Sequence, residues 1–202
     1  MSDKPRPDLS ALVGSRICHD LISPLGAAGN GLELLTLTGQ TPQTAPEMDL
    51  ITQSVDNANA WLRFFRIAFG AAGEGQVIAR SDLTSVLSDS FDGSRIALHT
   101  ELPETVARRD TKLALLLILG LVSAMPKGGT IRLSEAGGTW RLSGAGPELR
   151  LEPQLWRQLD DPSPETGLSA AEVQFALLPL AAAEAGRAPF LDTQGDGIEI
   201  VF

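Results

Sequence analysis

The sequence predicts an α+β protein. An N-terminal antiparallel helical hairpin forms a four-helix bundle with a second copy, and an α/β sandwich follows. Three observations carry this. Ile51, Val55, Ala58, Leu62, Phe65 and Phe69 recur at spacings of 4, 3, 4, 3 and 4, an unbroken heptad seam. Gly70-Ala-Ala-Gly-Glu-Gly then interrupts the pattern. Beyond it, segments of helical and strand period alternate. The chain therefore divides into a dimerising hairpin, 1–75, and a sandwich, 76–202.

The first helix is expected from Pro7 or Asp8 to about Thr36, with Asp8 at the positive end of its dipole. Its stripe is Val13, Ile17, Leu21, Ala28, Leu32 and Leu35. Pro24 lies inside it and deprives the Asp20 carbonyl of its helical donor. Such a helix must be held by packing. A loop with Gly39, Pro42 and Pro46 leads to a second helix over Met48–Phe69. Trp61, Phe64 and Ala68 add an apolar row beside its seam. One partner helix cannot cover both rows, which implies a homodimer completing a four-helix bundle.

In the second half, Ser81 is placed to cap a helix over Leu83–Phe91, and Arg95–Glu101 reads as a strand. An apolar helix starts at Asp110 or Thr111 and ends before Pro126. Thr130–Ser134 and Trp140–Leu142 form an antiparallel pair turning at Gly137-Gly138, with Leu149–Leu151 as a short third strand. Pro153–Leu159 is a short helix, and Ser169–Ala185 a longer one stopped by Gly186. Phe190–Thr193 and Ile198–Phe202 make a final hairpin around Gly195-Asp-Gly197.

Composition excludes several function classes. Acidic residues outnumber basic ones 25 to 16, for a net charge of −9. Non-specific nucleic-acid binding, which needs Lys and Arg against phosphates, is disfavoured. Cys18 is the single cysteine, and His19 and His99 are the two histidines. That leaves no intrachain disulfide, no cysteine zinc site and no multi-histidine site. The most apolar run, Leu113–Val122, is well short of the roughly 20 residues that span a bilayer. The polar, proline-containing Met1–Asp8 does not read as a signal peptide. A soluble cytoplasmic protein is expected.

The informative segment is Arg16-Ile-Cys-His19-Asp20-Leu-Ile-Ser23-Pro24-Leu. At about 100° per residue, His19 lies roughly 200° from Ile17, so it points away from the packing stripe. An acid follows at once, and Ser23 returns to the same face four residues on. Cys18 reads as a packing residue, Arg16 as either an Asp20-paired cation or a phosphate contact, and His99 as a surface or edge-strand residue.

His19-Asp20-x-x-x-Pro24 resembles the phosphoacceptor H box of sensor histidine kinases. The wider string, continuing into Asn30-Gly-Leu-Glu-Leu-Leu35, is similar to the ChpT-type histidine phosphotransferases of alphaproteobacterial phosphorelays. The resemblance covers the whole chain and implies that the sandwich is a degenerate histidine-kinase ATPase domain. Pro126-Lys-Gly128-Gly129-Thr-Ile-Arg-Leu133 resembles the segment after the kinase N box, which puts the magnesium-holding asparagine of kinases at Gly120. The adenine-reading Asp falls at Leu142, before Gly144-Ala-Gly146, itself readable as a mere turn. The phosphate loop corresponds to Glu165-Thr-Gly167-Leu-Ser-Ala, with glycines missing. Leucine cannot accept the adenine amine's hydrogen bond, and a buried unpaired donor costs about 1–3 kcal/mol.

The resemblance implies a phosphoryl carrier. His19 takes the phosphoryl group from a receiver-domain aspartyl-phosphate and passes it to another receiver, without ATP. Asp20 fixes the ring tautomer and Ser23 orients the phosphoryl group. Leu12, Arg16, Ile22 and Gly26 form the receiver-docking face. The partners implied are a second copy, the receiver of a hybrid histidine kinase and those of response regulators. No cofactor is expected on this chain, and the Mg²⁺ belongs to the partner receiver. Two alternatives stand beside this reading. An ATP-dependent histidine kinase would bind an ATP analogue. A non-catalytic dimeric scaffold or pseudokinase would keep its output in His19→Ala.

Overall fold

A computed structural model describes residues 8–38, 45–159, 167–193 and 197–202 of the chain. Helix α1 spans Leu9–Thr38. Asp8 caps it, its carboxylate accepting the backbone N–H groups of Ser10 at 3.0 Å and Ala11 at 3.1 Å. Two of the donors that a helix N-terminus leaves unpaired are thereby satisfied. The helix continues through Pro24. Helix α2 spans Ala45–Ala68, starting three residues before the expected Met48. Pro46 falls in its first turn, where a missing N–H costs no helical hydrogen bond. The rest of the expected loop, Gly39 and Pro42 included, lies outside the described residues.

The two helices pack along Ala28 and Leu35 of α1 and Ala58 of α2, all buried. The heptad seam divides between two surroundings: Ala58 and Phe65 are buried, while Val55 and Leu62 are exposed. The second row corrects the sequence reading. Trp61, Phe64 and Ala68 are covered within the chain, not by another bundle helix. Trp61 and Phe64 meet Phe91 with ring centroids 5.7 and 6.2 Å apart. The end of α2 thus belongs to the core of the C-terminal half. Periodicity reveals that a face is apolar but not what covers it.

Strand β1 (Val77–Ala79) leads into helix α3 (Arg80–Phe91). Ala79 holds the cap position without a side-chain bond, and the expected cap, Ser81, lies inside the first turn. Strand β2 (Ile96–Glu101) follows, then β3 (Thr105–Ala107), which pairs antiparallel with β1. That pair has no signature in the sequence, because three residues are too few to show alternation. Helix α4 (Arg108–Ala124) starts two residues before Asp110. Strands β4 (Gly129–Ala136) and β5 (Thr139–Ala145) form the expected hairpin.

Leu149–Leu151 is not a strand; the Arg150 N–H bonds the Ala124 carbonyl at 2.8 Å, tying the segment to the end of α4. A short helix, α5 (Pro153–Trp156), runs on into a 3-10 turn, Arg157–Leu159. A second 3-10 turn, Ala170–Glu172, opens helix α6 (Val173–Ala185), which ends at Gly186. Strands β6 (Phe190–Asp192) and β7 (Ile198–Val201) are antiparallel, and residues 194–196 of their expected turn lie outside the described residues.

The five-stranded sheet has the order β2-β4-β5-β7-β6. Only β2 and β4 are parallel, joined by a crossover through α4. One face, with Ile131, Leu133, Leu142, Ile198 and Ile200, is buried under helices. The other exposes His99, Arg132, Arg141 and Glu199. Alternation of this kind marks a sheet covered on one side. Arg187 ties the helical layer to the β4–β5 turn. It grips Asp110 through two bonds, at 2.6 and 3.1 Å, and donates to the Gly138 carbonyl at 2.9 Å. The Asp110 hydrogen bond holds the Arg187 guanidinium above its ordinary basicity. No helix among the described residues is long and apolar enough to cross a membrane.

Candidate functional site

His19 lies in the N-terminal half of α1, and its side chain is 82% exposed. The helical phase explains this. Ala28, nine residues on, is close to 180° away and buried against α2. Nδ1 of His19 lies 3.0 Å from Oδ1 of Asp20. A carboxylate only accepts, so this contact puts the proton of a neutral imidazole on Nδ1. The lone pair of Nε2 then faces solvent.

Asp20 is largely covered, and its second oxygen is engaged. Oδ2 accepts from Nε of Arg16 at 2.5 Å, one turn earlier on the helix. Of the two readings of Arg16, the geometry matches the Asp20-paired cation. Its side chain is only 15% exposed, and its charge turns inward. Nη1 of Arg16 donates to the Ala171 carbonyl at 2.7 Å and approaches Oε1 of Gln174 at 3.4 Å. The 3-10 turn before α6 therefore reaches across to the H-box helix. Leu12, also assigned to docking, is half-buried.

Ile22 is 68% exposed, and Ser23 and Gly26 are exposed as well. These three share the His19 side of α1 and form an open surface around the imidazole. Cys18, expected to pack, is exposed. His99 is exposed on β2, at one edge of the sheet.

Ala171 and Gln174 were invisible to sequence reasoning. They stand 155 and 158 residues from Arg16. The one local signal nearby is Ser169-x-x-Glu172, a capping box that fixes the turn carrying Ala171. Glu172 accepts from the Ser169 N–H at 2.8 Å.

The positions aligned with kinase nucleotide residues do structural work. Gly120 is buried in α4, and a Cβ there would lie 3.1 Å from Cη2 of Trp156 and 3.5 Å from Cε1 of Phe175. These two rings meet edge to face with centroids 5.2 Å apart. What remains beside them is a shallow pocket of about 240 Å³, lined by Ser123, Arg150, Glu172 and the same rings. Leu142 is fully buried, paired between Leu133 and Ile200. Gly144 belongs to β5 and not to a turn. Gly128 and Gly129 have φ of +81° and +157°, and a Cβ on either would strike the carbonyl of Arg95 or Ala145. Of the loop aligned with the kinase phosphate loop, residues 165 and 166 lie outside the described residues.

Comparison with known proteins agrees with this geometry. The family model for the histidine phosphotransferase C-terminal domain matches residues 80–197. The protein phosphotransferase ChpT of Brucella abortus (strain 2308) is 37% identical over 186 residues, which is 89% of this chain and 87% of that protein. The solved structure of a bacterial phosphotransferase superposes with a TM-score of 0.79 at 33% identity, covering 96% of this chain and 95% of that one. An exposed, acid-supported histidine and these matches along nearly the whole length lead to one assignment: the chain is a phosphorelay protein phosphotransferase and belongs to the histidine phosphotransferase family.

Proposed function

We propose that Nε2 of His19 is the phosphoacceptor. The observation that carries this is the exposed imidazole whose Nδ1 proton is held by Asp20. The Nε2 lone pair attacks the phosphorus of a receiver's aspartyl-phosphate in line. The N–P bond forms as the acyl P–O bond breaks, and the aspartate leaves as a carboxylate. The Nδ1 proton stays where it is, and Asp20 faces the positive charge that appears on the ring. The reverse step delivers the phosphoryl group to a second receiver. Such chemistry needs alignment and charge neutralisation. Asp20 supplies both on the acceptor side, while Mg²⁺ on the partner receiver supplies charge on the donor side. Ser23, one turn beyond His19, is placed to orient the phosphoryl oxygens.

The receivers of a hybrid kinase and of response regulators dock on the α1 surface that Ile22, Ser23 and Gly26 share with His19. ATP takes no part, a reading supported by Trp156 and Phe175 standing over Gly120. A second copy completes a four-helix bundle. Its support is an exposed apolar row at heptad spacing on α2, Met48, Val55 and Leu62, with Leu25 and Leu32 exposed on α1. The protein acts in the cytoplasm, where a carrier reaches both receivers freely. Incubation with a phosphorylated receiver tests the assignment. Label should pass to the wild type and then to a second receiver, and a His19→Ala protein that still takes label refutes it.

A further inference from the structure

We propose that the C-terminal unit sets the tautomer and direction of His19 through a relay of fixed groups, with Arg16 as the positioning residue. This rests on the reading of His19 as phosphoacceptor. An imidazole that is 82% exposed has little packing to hold it, so its orientation depends on Asp20. A carboxylate alone is a poor clamp, because it turns about its own axis and offers either oxygen. Arg16 removes that freedom by engaging Oδ2 through Nε, which leaves Oδ1 aimed at Nδ1 of His19.

The guanidinium would itself be mobile on a helix surface. It is planar and forked, so it can hold two partners in one fixed geometry. Its other arm grips the Ala171 carbonyl at 2.7 Å. That carbonyl is immobilised from both sides. The Ser169–Glu172 capping box locks the turn before it. After it, Val173, Gln174 and Phe175 are buried in α6, and Oε1 of Gln174 is a second acceptor for Arg16. The unit that has lost its nucleotide residues is thus connected by hydrogen bonds to the acceptor nitrogen. Any shift of α6 relative to α1 releases Arg16, then Asp20, then the ring.

The test uses the intact chain with Arg16→Gln, Arg16→Lys and Glu172→Ala. Two readouts are taken: imidazole ¹⁵N shifts of His19, and kcat and KM for transfer from a phosphorylated receiver. Arg16→Gln should lower kcat about 10- to 100-fold with KM within about 2-fold. The ¹⁵N pattern should move from one tautomer to a mixture. Arg16→Lys keeps a cation for Asp20 but cannot hold Asp20 and Ala171 together, so it should restore kcat only in part. Glu172→Ala, which touches neither His19 nor Asp20, should shift the ¹⁵N pattern in the same direction with a smaller loss of kcat. An unchanged ¹⁵N pattern in Arg16→Gln overturns the proposal. So does a rise in KM at constant kcat, which makes Arg16 a docking residue, or full rescue by lysine, which makes it a simple counter-charge. Failure of the underlying reading looks different: label would then persist in His19→Ala whatever residue 16 is.

Discussion

Placing asparagine at position 120 tests how firmly the space beside Gly120 is closed. The Gly120→Ala variant calibrates the backbone. Its Cβ meets Cη2 of Trp156 at 3.1 Å, so the ring must give by a few tenths of an ångström. Against that, replacing glycine in a helix interior gains about 1 kcal/mol. The alanine protein should therefore stay within about 1 kcal/mol of wild type. Asparagine adds a carboxamide beyond that Cβ, between Trp156 and Phe175. Overpacking costs about 1–3 kcal/mol. An amide buried without a partner costs about 1–3 kcal/mol more. The sum, about 2–6 kcal/mol, converts at roughly 2–4 °C per kcal/mol to a melting temperature about 4–24 °C lower. Urea and thermal unfolding of the three proteins measure this, and calorimetry with Mg-ATP follows on each folded variant. An asparagine protein as stable as the alanine one, or a micromolar ATP isotherm, would falsify the closed-site reading and show that the aromatic pair yields to a nucleotide.

The remaining predictions concern the carrier and its supports. Label on the protein should be acid-labile and base-stable, as for a phosphoramidate, should vanish in His19→Ala and should persist in His99→Ala; acid-resistant label would place it on another residue. Ile22→Asp should slow transfer from a phosphorylated receiver about 10-fold or more while light scattering still finds a dimer, and an unchanged rate moves docking off this face. Leu62→Glu, on the exposed α2 row, should give monomers or aggregates, and a wild-type monomer at micromolar concentration would sink the bundle proposal. Asp110→Asn strips the Arg187 guanidinium of its carboxylate; with Asp110 10% and Arg187 29% exposed, the loss of stability should be about 1–3 kcal/mol, and a loss below about 0.5 kcal/mol would mean that the pair is well hydrated.

The parts that were legible in the sequence were those with a local signature. The hairpin, α4, the β4–β5 pair and α6 each carry a period or a turn signal long enough to stand out. His19, Asp20 and Pro24 were legible because chemistry crowds them into six residues. What stayed hidden depends on distant partners. The β1–β3 pair has three residues a side, and its stability comes from pairing across α3 and β2. Arg16 was equivocal because an i,i+4 carboxylate and a distant carbonyl produce the same local pattern as a free cation. Its true surroundings required Ala171, which takes part through its backbone carbonyl and so leaves no mark in its residue type.

The case of α2 shows what the C-terminal unit does for the hairpin. The sequence read its two apolar rows as the demand of a four-helix bundle. In the structure Trp61, Phe64 and Ala68 already belong to the core formed with α3 and α4. Phe64 and Ala68 are completely buried there. Removing the C-terminal unit would return a Trp, a Phe and their neighbours to water, at roughly 1.5–3 kcal/mol for each large side chain. That is a substantial share of the 5–15 kcal/mol that holds a typical domain together. The boundary near residue 75 is thus a change of composition and not a division of the core. The hairpin carries the histidine, but the degenerate unit covers the end of α2 and, through Ala171 and Arg16, reaches the helix that bears it. Gly120 and Leu142 are held by that same core, Gly120 under Trp156 and Phe175 and Leu142 fully buried between Leu133 and Ile200.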